Sequence, residues 1–274
     1  MKKNFKELAM ILIVGIIALP ACQKDDQFKP TVNTLSSING NSSAILEKTF
    51  YSRSQPLGTG VVRAWVKENK DGKPISVGVN LSEKALENLP NEPAAYILEL
   101  PKNKGQNFYT HILLDWNPQG HVPPGTYDVP HFDVHFYIIP NEDRLNIEAN
   151  DLAEFAVAPS SQYIPSLYLQ IPGGEPEMGA HWIDLLAPEF NGGTFTKTFI
   201  WGSYDGMFIF WEPMVTLDYL LFLKSNPGSG PVPIRQPASY QQDGYYATHY
   251  EVSFSKSPKE FNVTLLNLTY HEGE

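Results

Sequence analysis

From His131 to Ile138 the chain alternates without a break, with Phe132, Val134, Phe136 and Ile138 set against His131, Asp133, His135 and Tyr137. Successive side chains on a strand point to opposite faces. The stretch is therefore predicted as a β-strand with one apolar face and one imidazole–carboxylate face. A strand of this kind needs a core on one side, and on the other either water or a site. Two turn signals, 117–120 (Asn-Pro-Gln-Gly) and 123–125 (Pro-Pro-Gly), lead into it, and His121 is assigned to that turn region.

The rest of the chain reads the same way. Short alternating runs at 44–51, 58–67, 75–81, 94–100, 109–116, 163–171, 195–203, 207–212, 246–255 and 261–270 are predicted as strands. Asp71-Gly72 and Asp205-Gly206 mark hairpin turns. Short helices are predicted at 83–89, capped by Ser82, within 146–155, and at 216–224, where Leu217, Leu220, Leu221 and Leu223 form the apolar side. With 14 Tyr, 15 Phe and 23 Pro and only 18% charged residues, the composition suits a β-rich secreted protein rather than a helical bundle. The expected fold is all-β, mainly antiparallel: one β-sandwich or barrel-like domain over 45–274 with a few short helices.

The N-terminus stands apart. Lys2, Lys3 and Lys6 precede an apolar run, 8–19, that is too short for a comfortable membrane span. Leu19-Pro20-Ala21-Cys22 resembles a bacterial lipobox, so residues 1–21 are expected to be a signal peptide cut after Ala21, with lipid, including palmitate, on Cys22. Cys22 is the only cysteine, which excludes thiol catalysis and structural disulfides in the remainder. Gln23-Lys24-Asp25-Asp26 resembles an export signal for surface lipoproteins, and 22–44 reads as a polar, flexible tether. The expected location is the outer membrane, lipid-anchored and facing the cell surface, with a periplasm-facing orientation as the alternative. The net charge of −10, made more negative by loss of the leader, argues against nucleic-acid partners. Membrane contact is expected through the lipid alone.

Imidazole and carboxylate side chains are the ligands a divalent metal needs. The candidates are His121, His131, Asp133, His135, His181, Asp184, Glu189 and Glu212. Residues four apart on a strand lie roughly 13 Å apart at Cα, so His131 and His135 should not share an ion unless a bulge bends the strand. With Asp205-Gly206 as a two-residue hairpin loop, Glu212 is predicted opposite Phe199, on a face with Trp201, Phe208 and Phe210. A carboxylate there needs a cation. His111 and His249 are read as structural, and His271 is uninformative. No phosphate-binding loop, nucleophile elbow or His-Glu-x-x-His motif is present. A paired-carboxylate glycosidase has no supporting spacing. The tyrosines at 240, 245, 246 and 250 fit a sheet core or a glycan-stacking surface.

Several stretches together resemble one known family: Asp71-Gly72-Lys73-Pro74 with Leu81-Ser82-Glu83; 115–121 (Asp-Trp-Asn-Pro-Gln-Gly-His); Pro124-Gly125 through 130–137; Met178-Gly179-Ala180-His181-Trp182; Thr198-Phe199-Ile200 through Tyr204-Asp205-Gly206; and Glu212-Pro213-Met214. The chain resembles, over most of 58–268, a domain family of unknown function in secreted bacterial proteins and lipoproteins, typified by a Thermus protein under extracytoplasmic sigma-factor control. The resemblance implies a β-rich fold and, from the founding member, a ring-forming homo-oligomer. It implies no activity.

Two functions are therefore expected as alternatives. In the first, one divalent ion (Zn²⁺ or similar) is held by His135, His181 and Glu212, with Asp133 or His131 completing or orienting the set, and an open position would allow hydrolytic or lyase chemistry. In the second, the polar row is a structural network in a non-enzymatic module that captures a small molecule or glycan, or that assembles with copies of itself.

Overall fold

A computed structural model describes residues 47–101, 108–226, 228 and 230–274. Ala21, Cys22 and the tether expected over 22–44 lie outside the described residues. Strands β1 to β14 are numbered in chain order and form two antiparallel sheets. The first runs β1 (Lys48–Tyr51), β3 (Gly60–Glu68), β4 (Pro74–Ser82), β14 (Lys259–His271), β13 (Gly244–Lys256) and β12 (Val232–Pro233), with β2 (Gln55–Leu57) added on β3. The second runs β5 (Ala94–Glu99), β6 (His111–Asn117), β7 (His131–Tyr137), β11 (Met207–Thr216), β10 (Lys197–Tyr204), β9 (Ala180–Asp184) and β8 (Tyr168–Gln170). The helices are α1 (Asn141–Arg144), α2 (Leu152–Ala156) and α3 (Leu217–Leu223). Neither sheet closes, so the fold is a β-sandwich and not a barrel.

The alternation explains the core. Val62, Ala64 and Val66 of β3, Val77, Val79 and Leu81 of β4, and Phe261, Val263 and Leu265 of β14 face Ile112, Leu114 and Trp116 of β6, Phe132, Val134 and Phe136 of β7, and Trp211 and Val215 of β11. Full burial of each large side chain contributes about 1.5–3 kcal/mol, so this interface dominates stability.

The other face of the second sheet is also covered. Ile147 and Phe155, from the α1–α2 segment, pack with Leu113, Tyr137, Ile209 and Phe210. Tyr127 and Phe195, from the loops before β7 and β10, pack with Ile200 and Met214. His131, Asp133 and His135 therefore stand on an outer face that is not solvated.

Local expectations fail where another interaction competes. Ser82 does not cap a helix at 83–89; its Oγ accepts from the Val61 N–H at 3.0 Å, and only a 3₁₀ turn forms, at Glu83–Leu86. Of the short helix expected within 146–155 only the end forms, as α2, and the separate α1 lies before it. The strand expected at 163–171 shrinks to β8, because Pro165 lacks a donor and Leu167 sits at φ 66°. α3 forms as expected, with Thr216 Oγ1 accepting from the Tyr219 N–H at 3.2 Å, although Leu221 faces solvent.

The register of the β10–β11 hairpin needs correcting. Ser203 pairs with Phe208, but a bulge inserts Ile209, and from Gly202 onward the partners shift by one. Glu212 stands opposite Ile200 and not Phe199. Phe199, Trp201 and Phe208 belong to the inner core, and Glu212 points the other way, toward Phe210 and the polar row of β7.

Candidate metal centre

The bulge, together with two loops, assembles two His/carboxylate clusters on this outer face. In the first, His135 of β7, His181 of β9 and Glu212 of β11 each offer one ligand atom, all within 4.8 Å of one another. His135 Nε2 stands 3.4 Å from Glu212 Oε1, and His181 Nε2 stands 3.7 Å from Glu212 Oε2. His181 is on β9, and its register opposite Gly202 brings it to the site. Gly202 lets the strands and rings come this close: a Cβ there would lie 1.9 Å from the Phe210 ring. That ring packs edge-on against both imidazoles, 5.0 Å from His135 and 5.4 Å from His181 between centroids.

Asp133 and His131 do not join this set. They form the second cluster, with His121: His131 Nε2 is 3.1 Å from Asp133 Oδ1, and His121 Nε2 is 3.3 Å from Asp133 Oδ2. His121 sits beside its turn and yet reaches the sheet. Asn117 of β6 donates to Asp133 Oδ2 at 2.7 Å.

The histidines share an arrangement. His135 Nδ1 faces Asp115 Oδ2 at 3.2 Å. His131 Nδ1 lies 2.6 Å from the Val129 carbonyl oxygen, and His121 Nδ1 lies 2.7 Å from that of Val122. The backbone of Gly179 hydrogen-bonds His181. In His131 and His121 a carbonyl oxygen engages Nδ1, and in His135 Nδ1 faces the Asp115 carboxylate as an ion pair, so Nε2 is the nitrogen presented to the cluster carboxylate. A metal-ligating histidine is usually oriented by such an outer partner.

Sequence reasoning did not single out Asp115 or Asn117. Their signal lies in strand pairing: on β6 they alternate with Leu114 and Trp116, and β6 sets Asp115 opposite Asp133 and Asn117 opposite His131. Two like charges directly opposed are destabilising, so this pair calls for cations between or beside the carboxylates. The remaining candidates are engaged elsewhere. Asp184 pairs with Arg235 at 3.2 Å, and Glu189 accepts from the Tyr127 hydroxyl at 3.2 Å. His111 stacks on Tyr137 with the ring planes 2° apart, and burial pushes its pKa down to about 4. His249 Nδ1 lies 2.9 Å from Thr248 Oγ1.

The electrostatics are strongly coupled. Burial would lower the pKa of His135, but the carboxylates of Glu212 and Asp115 overcome it and raise the ring to about 9. Burial also opposes charge on His121, and Asp133 with the Val122 carbonyl raises it to about 9. Burial alone would raise Asp133, yet His121 and His131 hold it well below the carboxylate range. Burial raises Glu212, only partly offset by the His135 cation, and burial with that same cation lowers His181 to about 3.

A network of ion pairs and hydrogen bonds does not satisfy these groups. His131 Nε2, Asp133 Oδ1, both ring nitrogens of His135 and Glu212 Oε2 are buried without a hydrogen-bond partner. A buried polar atom left wholly without a partner costs about 1–3 kcal/mol; here the facing ion pairs offset part of that. Ligand atoms around a tetrahedral zinc stand roughly 3.3–3.5 Å apart, from bond lengths of about 2.0–2.1 Å. The observed carboxylate–imidazole separations bracket that spacing. Both clusters could hold a metal ion.

Fold and site define an antiparallel β-sandwich protein with two His/carboxylate clusters under the loops of one sheet. Residues 69–116, from the β3–β4 turn to the end of β6, match the family described as TTHB210-like, after the hypothetical protein TTHB210. The match supports membership of the uncharacterised family, typified by that Thermus protein, which the sequence motifs resemble. It includes Asp115 but no residue of the two clusters. No curated protein and no solved structure matches the chain.

Proposed function

We propose that this is a surface lipoprotein whose β-sandwich binds a divalent transition-metal ion through His135 Nε2, His181 Nε2 and Glu212. The observation that carries the reading is the convergence of two oriented imidazoles and one carboxylate, with buried ligand atoms that lack hydrogen-bond partners. Two nitrogens and one oxygen favour zinc or a neighbouring transition metal over Mg²⁺ or Ca²⁺, which take oxygen ligands. Three protein ligands leave a fourth position for water or an anionic ligand. His181, on the short β9 near the sheet edge and 17% exposed at its side chain, marks the side from which that position is reached. The lipobox at Leu19-Pro20-Ala21-Cys22 supports anchoring to the outer membrane.

The test is metal content after purification and dialysis, with Zn²⁺ titrated by calorimetry. The reading expects stoichiometric binding that His181→Ala removes from this cluster. A protein without bound metal, and with a melting temperature indifferent to Zn²⁺ and to chelator, would sink it.

Assembly is a second reading, favoured by a different observation. Leu167, Leu169, Leu185 and Leu186 are 40–54% exposed together around the edge strand β8. Exposed apolar groups beside an open strand edge suit contact with another copy of the chain. Solution mass by light scattering, with Leu169→Lys as the disrupting variant, tests it.

A further inference from the structure

We infer a second divalent transition-metal site at His121, His131 and Asp133, separate from the first and serving to clamp the β6–β7 loop onto the sheet. It stands independently of the first site, because the two sets share no residue.

The loop is shaped to deliver His121. Gly120 takes φ +69°, and a Cβ there would meet the Tyr127 carbonyl oxygen at 2.1 Å. The His121 N–H donates to that same oxygen at 3.1 Å, so the chain folds tightly back on itself just where His121 leaves it. Tyr127, six residues on, is buried against Phe195, Ile200 and Met214. His131, at the start of β7, is fully buried, and its Nδ1 is engaged by the Val129 carbonyl. Its Nε2 and Asp133 Oδ1 both lack a hydrogen-bond partner although they face each other, and Asp133 Oδ2 is fixed by Asn117. Two buried, oriented ligand atoms that face each other without a hydrogen bond, with a third reaching in from the loop, form a cation site and not an incidental cluster. The donor set repeats that of the first site, two imidazole nitrogens and one carboxylate, so the same class of ion fits. Each cluster has its own carboxylate and neither bridges. The two ions are therefore each held by a separate set of ligands. Among the second-site ligands, His121 alone comes from the loop, with a side chain 39% exposed. An ion there ties loop to sheet from the solvent side, while Tyr127 ties it from the apolar side.

The experiment loads the purified chain with ZnSO₄, removes excess by gel filtration, and measures zinc by atomic emission together with amide exchange over 121–130. Two equivalents are expected in the wild type. His121→Ala should retain one and exchange faster across the loop; His181→Ala should retain one with loop exchange unchanged. Asp133→Asn, nearly isosteric, repeats the His121→Ala result, with near-UV circular dichroism showing that both variants fold. Two equivalents in His121→Ala, or a single wild-type equivalent that survives it, would overturn the second site. A single wild-type equivalent that His121→Ala loses and His181→Ala keeps would uphold it and overturn the first site instead. Loss of one equivalent in His121→Ala with unchanged exchange would overturn the clamp.

Discussion

On one side of β7, Phe132, Val134 and Phe136 are buried in the sandwich core; on the other, His131, Asp133 and His135 are buried almost as completely. The two faces of one strand thus meet the same lack of water with opposite chemistry. The inner face is satisfied by contact alone. On the outer face an apolar lid of Tyr127, Phe195, Ile147 and Phe155 strips water from groups that need a partner, and the partners they find are each other. Burial, which stabilises the first face, makes the second depend on its ion pairs.

That difference can be broken from either side. The largest effect is expected on the inner face: Phe136→Ala should cost about 3–5 kcal/mol of folding stability through the cavity it leaves. Urea denaturation should give the same loss with and without Zn²⁺, since the deleted ring faces away from the site. On the outer face the balance inverts. His181→Ala should weaken zinc binding at the first cluster by at least about 100-fold, or about 2.7 kcal/mol. The stability of the metal-free protein should fall by less than the Phe136→Ala loss, because the His181 ring is partly exposed and lies outside the sandwich core. Comparison of melting curves with and without zinc would break the contrast if both proteins respond alike.

Asp115→Asn sharpens it further. The carboxylate touches the back of His135 and not the ion, so the expected loss in affinity is about 10–100-fold, with stoichiometry kept. A loss of stoichiometry would make Asp115 itself a ligand. The last effect is on pH. Against burial, the Glu212 and Asp115 carboxylates raise His135 to about 9, and burial favours the protonated form of Glu212, so in the metal-free protein this coupled pair retains protons near neutrality. A metal must displace those protons, so affinity should rise with pH up to about 9, by at most about tenfold per pH unit for each proton released. Calorimetry at pH 6.5 and 8.5, in buffers of different ionisation enthalpy, would count the protons. A pH-independent affinity would mean that the His135–Glu212 pair holds no such protons in the metal-free protein.

Much of the fold was legible. Alternation at 131–138, 58–67 and 261–270, with Gly and Pro turn signals, placed the central strands within a residue or two and gave an all-β sandwich. The helix at 217–223 followed from its cap and its leucines. Short segments were lost where a local rule met a competing contact, as at Ser82, or a backbone constraint, as at Pro165 and Leu167. The site was legible as a set of residue types and not as an arrangement. Strand spacing separated His131 from His135, as the two clusters do. The partners of each were out of reach, because they depend on a bulge at Ile209, a loop closing on Gly120, and the pairing of β6 with β7.

By itself, then, the sequence determined which faces exist: a strand's period of two is local, and the alternation of Phe, Val and Phe with His, Asp and His is written in the chain. The tertiary structure alone decided what each face meets. One extra residue in β11 turned Glu212 away from Phe199 and toward His135, and a folded-back loop brought His121 to Asp133. Register and loop closure are long-range properties, fixed by the packing of segments far apart in the chain, and no local pattern at Glu212 or His121 records them.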